Sequence, residues 1–180
     1  MFDEKRMLQI ISYLLSLNNN EMDKLKLIKE LYLIDRVSID EDNSSVSGDE
    51  FFSLKYGPVL SNTLNIINDI PNGNDWAEYL SINNNKEIRL IKPFDEGRLS
   101  KKDKYFIQLI SDKYKTYTTS QLVDYTHTLP EWKEPKDTNH KIRFVDIMKA
   151  LGKSDEEITY AKKEYDGLSE LYASLGLKWI

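Results

Sequence analysis

The chain has 180 residues, 40% hydrophobic and 31% charged, a balance that supports one packed core and excludes wholesale disorder. It contains no cysteine, which removes disulfides, thiolate metal sites and a cysteine nucleophile and agrees with a reducing compartment. Its formal net charge of −5 lacks the cationic surplus with which nonspecific nucleic-acid binders neutralise phosphates, so nucleic acid is not an expected partner of the chain as a whole.

Apolar spacing at Met7, Leu8, Ile11, Leu14 and Leu15 predicts a first helix from about Asp3 to Leu17, broken by Asn18-Asn19-Asn20. That run is interrupted by Gln9, Ser12 and Tyr13, has no small-residue cleavage site and is too short to span a bilayer. No membrane partner and a cytoplasmic location are therefore expected. Asp23 is suited to cap a second helix with a stripe of Leu27, Ile28, Leu31 and Ile34, ending near Val37. Asp40 to Glu50 reads as a polar, acidic loop. Phe51 to Lys55 reads as an extended segment or a brief helical turn. Pro58 suits the first turn of a third helix carrying Val59, Leu60, Leu64 and Ile67.

Tyr79–Ile82 and Glu87–Ile91 flank three asparagines and read as a β-hairpin. Ser100 with Asp103, Thr118 with Gln121 and Ser154 with Glu157 have capping-box spacing. They open helices centred on Phe106–Tyr114, on Leu122–His127 up to Pro130, and on Ile158–Tyr172 out to about Leu175. Between the last two, a polar loop spans Glu131–Asn139 and a short helix spans Lys141–Leu151. The expected class is mainly α: a compact helical domain with a small β-hairpin over residues 1–152, and a C-terminal helix, 153–180, packed on it.

No spacing singles out catalysis. Asp40, Asp42 and Ser44 start like a calcium loop, but Ser45 stands where glycine is needed and Phe51 where a bidentate glutamate is needed. His127 and Glu131 stand four apart, yet Pro130 interrupts the helix that would align them, and His140 lies in a separate segment. No phosphate-cradling glycine loop and no G-x-S-x-G pattern occur. Catalytic residues, metal and cofactor are therefore not expected. The order helix, helix, extended segment, helix, hairpin also admits a winged-helix reading, in which Asn62 and Asn65 face DNA, but that helix carries no lysine or arginine.

Three segments are less generic: Lys26-Leu27-Ile28-Lys29-Glu30-Leu31-Tyr32-Leu33-Ile34-Asp35-Arg36, then Ser47-Gly48-Asp49-Glu50-Phe51, then Tyr56-Gly57-Pro58-Val59. Thr126-His127 and Pro130-Glu131-Trp132 follow much later. In this order they resemble the SocA-like antitoxin family, the Panacea domain, from about Lys24 to Leu151. Glu30 stands where an apolar residue is common in that family, and the segment from Asp40 to Ser47 is long and acidic. The resemblance implies a bacterial or phage-encoded antitoxin of a type II toxin–antitoxin system. Its partner would be a protein toxin encoded nearby, neutralised by direct binding, with a protease as second partner where the antitoxin acts as a proteolytic adaptor. It singles out Lys29, Tyr32, Asp35, Gly57, Pro58, His127, Glu131 and Trp132 as motif residues. Their core positions also fit a role in specifying the fold. Asp35 is placed near a helix end, within reach of backbone, His127 or Tyr56. Asp40, Glu41 and Asp42 are expected on the partner-binding surface, where acidic charge would steer a basic toxin.

Overall fold

A computed structural model describes residues 2–163 except 85, 96 and 136–138. Its axis is the second helix. Residues 27–35 of α2 (Lys24–Asp42) are buried without interruption, so this helix has no solvent face along its middle. A helix enclosed on all sides belongs at the centre of a domain. α1 (Glu4–Leu17) precedes it, capped by Asp3 accepting from the Arg6 amide at 3.0 Å. Asn19 and Asn20, at φ 58° and 65°, turn the chain into β1 (Glu21–Asp23) through the left-handed region that asparagine tolerates.

Two three-stranded antiparallel sheets flank the helices. The hairpin predicted from the asparagine-rich turn is β4 (Leu80–Asn83) with β5 (Glu87–Leu90), and β1 adds to it with Met22 opposite Ile88. The other sheet has the order β3–β2–β6, from β2 (Phe51–Leu54), β3 (Gly57–Leu60) and β6 (His140–Ile142). α3 (Ser61–Asp69), α4 (Lys101–Tyr114), α5 (Thr119–His127) and α6 (Phe144–Ala150) complete the described elements. α2 touches β3, α4, α5 and α6. The predicted capping boxes of α4 and α5 are both formed.

Several expectations are corrected. Asp40, Glu41 and Asp42 are the last turn of α2 and not part of a loop, which begins only at Asn43 in the left-handed region. Gly57 and Pro58 open strand β3 and not a helix. β3 is an edge strand, where proline has no ladder amide to lose. Lys141 belongs to β6, and the helix there starts at Phe144. After Ser154 the chain is helical over 155–163, with Ile158 and Ala161 buried. The predicted continuation of that helix to about Leu175 lies outside the described residues.

Candidate functional site

The motif residues gather around α2, and most point inward. Lys29 is fully buried, and its ammonium donates to the Pro58 carbonyl at 2.9 Å. The strand it holds begins at Gly57, whose φ is +96°. A Cβ there would lie 2.6 Å from Thr126 Oγ1, 3.1 Å from Lys29 Nζ and 3.4 Å from the His127 ring. Glycine is thus required twice, by backbone conformation and by space. His127 stacks on Trp132 with centroids 4.2 Å apart, and the Trp132 indole donates to the Leu54 carbonyl at 3.1 Å. Helix α5 and the segment after Pro130 are thereby clamped to the β2–β3 hairpin. Trp132 is thus the anchor of that segment.

Asp35 sits well inside α2 and not near a helix end, since α2 continues to Asp42. Its carboxylate accepts the Ser47 amide at 2.8 Å and the Ser47 hydroxyl, rather than His127 or Tyr56. Asp49 completes the same loop. The N-cap residue of α3, Leu60, offers no side-chain bond, and Asp49 supplies one from a distance. It accepts from the Asn62 amide at 3.0 Å, the Thr63 amide at 2.9 Å and the Thr63 hydroxyl at 2.6 Å. A carboxylate there satisfies orphan amides and complements the helix dipole. The Asn62 side chain also donates to Asp49, at 2.8 Å, so it is already engaged within the fold.

Glu131 is buried beside α2. Its Oε1 accepts from Tyr32 Oη at 2.9 Å and from Arg36 Nε at 2.7 Å. Burial, reinforced by the Glu131 carboxylate, raises the Tyr32 phenol well above its ordinary value and keeps it a donor. Among the described residues no three histidine, aspartate or glutamate side chains stand together as a metal site would require.

Burial also sets the charge state of α2. Desolvation lowers the Lys29 ammonium to about 7 and raises the Glu30 carboxyl to about 7, the latter opposed in part by Lys26 at 3.9 Å. Asp35 is raised to about 6 by burial, against the opposing pull of its Ser47 bonds. Neither Glu30 oxygen has a hydrogen-bond partner among the described residues, nor has His127 Nε2.

The acidic triad lies apart from this cluster. Asp40 pairs with Lys153 at 3.1 Å and Asp42 pairs with Lys102, while Glu41 is exposed. Sequence reasoning left Arg36, Ser47, Asp49 and Thr126 out of the site. All four lie within the quoted motif segments, but only their partners across the fold reveal what they do.

A family model described as the antitoxin SocA-like, Panacea domain, matches residues 27–133. The chain belongs to this family. The match opens at Leu27, where α2 becomes continuously buried, and closes at Lys133, next to the Trp132 that clamps the hairpin. The Panacea segment therefore contains the Lys29–Pro58, Asp35–Ser47, Asp49–α3 and Glu131–Tyr32–Arg36 contacts in full. Among curated proteins and among solved structures, nothing matches the chain.

Proposed function

We propose that this protein is the antitoxin of a type II toxin–antitoxin pair, acting in the cytoplasm by binding its cognate protein toxin directly. Membership of the SocA-like antitoxin family over residues 27–133 carries the reading. The site geometry supports binding over catalysis. Asp35, Asp49 and Glu131 are buried and each accepts from protein donors, so they serve the fold as structural acceptors. Lys29 is likewise committed to the Pro58 carbonyl. What such a protein offers a partner is its outer surface, held in place by these contacts. The proteolytic-adaptor form of the same function hands the bound toxin to a protease.

Co-expression tests this. The small protein encoded beside this gene should arrest growth when expressed alone, and expressing this chain with it should restore growth. Faster loss of the toxin in the presence of this chain, abolished in protease-deficient cells, marks the adaptor form. A harmless neighbour, or toxicity that this chain does not relieve, contradicts the proposal.

A further inference from the structure

A cleft of about 340 Å³ opens where Ser53 of β2 faces His140 of β6. The segment Pro130–Lys133 forms one wall and α6, through Asp146, Lys149 and Ala150, the other. Its volume is at the small end for ligand sites, enough for one or two side chains but not for a folded nucleic-acid strand. Pro130, Ile142 and Ala150 give it an apolar lining.

Its charge runs against that of the molecule. Lys141 on the lining is paired with Glu50, Asp146 with Arg143, and Glu131 with Arg36. Lys133 and Lys149 remain exposed on the lining with no ion pair of their own among the described residues. The three lysines of the lining, Lys133, Lys141 and Lys149, outnumber its two carboxylates, Glu131 and Asp146, so the lining is formally net positive. A chain of net charge −5 thus carries a concave spot of the opposite sign. A nucleic-acid site would need several phosphate contacts along a basic track, and two lysines around a small apolar-lined hollow do not provide one. They match a carboxylate side chain flanked by an apolar one.

We infer that this cleft binds an acidic segment of a protein partner, seating a glutamate or aspartate between Lys133 and Lys149 and an apolar neighbour against Pro130, Ile142 and Ala150. The inference stands whether or not that partner is a toxin.

The test is a titration of the full chain, labelled with nitrogen-15, with the acetylated and amidated peptide Glu-Leu-Glu-Leu. Controls are its Gln-Leu-Gln-Leu counterpart and inorganic phosphate. Saturable amide shifts at 131–133 and 140–150 are expected with the acidic peptide. Affinity should fall at least tenfold in Lys133→Glu/Lys149→Glu and stay unchanged in Lys86→Glu, a reversal on the distant hairpin. If the double reversal misfolds, Lys133→Gln and Lys149→Gln made singly should each weaken binding about threefold or more. No saturable shift overturns the inference. So does an equal response to the neutral peptide, an equal loss in Lys86→Glu, or binding of phosphate as tight as that of the peptide, which would mark a simple anion site.

Discussion

At Gly57 two constraints coincide, a positive φ and a Cβ position already occupied by Thr126 Oγ1. Gly57→Ala should therefore destabilise the protein by about 2–3 kcal/mol in urea unfolding, combining backbone strain with a forced shift of Thr126. Arg36 offers a second test at this scale. Arg36→Met leaves the buried Glu131 carboxylate with only the Tyr32 hydroxyl, and a loss of about 3 kcal/mol is expected. Arg36→Met/Glu131→Leu should recover much of it, because the charge that lacks a partner is then gone. Of these contacts the sequence singled out Gly57, Tyr32 and Glu131 but not Thr126 or Arg36, and it disclosed none of the pairs. Asp35 looked like a helix-end acceptor, since the polar tail from Asp40 to Asp42 made α2 appear to stop early.

At the scale of elements, α3 shows how far the local reading reached. Its neighbours α4 and α5 carry their caps three residues from the residues they serve, so the pattern was visible in the chain. α3 is capped by Asp49, thirteen and fourteen residues before its bonded partners Asn62 and Thr63, and nothing local announces that. Asp49→Ala should cost about 2 kcal/mol and speed hydrogen exchange at the Asn62 and Thr63 amides first. Exchange that accelerates equally across all helices would contradict a capping role. The short strands were missed for the same reason. β1 and β6, of three residues each, exist only through partners at β5 and β2. Pro58 pointed to a helix start because proline suits both a first helical turn and an edge strand; the burial of all four β3 residues against α2 and α5 fits the strand.

On the scale of the whole molecule, α2 makes stability depend on pH in an uncommon way. Glu30 is raised from 4.5 to about 7, so its contribution is full below pH 4.5 and is lost as pH rises through about 7. The loss amounts to about 3 kcal/mol. Asp35 acts in the same direction between 3.8 and about 6. Lys29 is lowered from 10.5 to about 7, so its contribution is full above 10.5 and lost as pH falls through about 7. Their sum has a trough near neutral pH, where many proteins are most stable. In urea midpoints measured from pH 5 to 9, Glu30→Gln should be more stable than the parent at pH 8, with the difference vanishing toward pH 4.5. A constant difference across that range would contradict the assignment.

The same inward arrangement frames the functional reading. The motif side chains hold β3 and the Pro130–Lys133 segment against α2 and Asp49 caps α3, which under the proposed antitoxin reading leaves recognition to the surface they support. Asp40, Glu41 and Asp42, expected to face a basic toxin, are all exposed; Asp40 and Asp42 are answered by Lys153 and Lys102, and Glu41 has no ion pair among the described residues. The direct measurement is calorimetric titration of the purified product of the neighbouring gene into this chain. An antitoxin predicts a saturable complex with Kd tighter than about 1 μM, or roughly −8 kcal/mol, that co-elutes on gel filtration. No heat of binding and separate elution of the two proteins would contradict it.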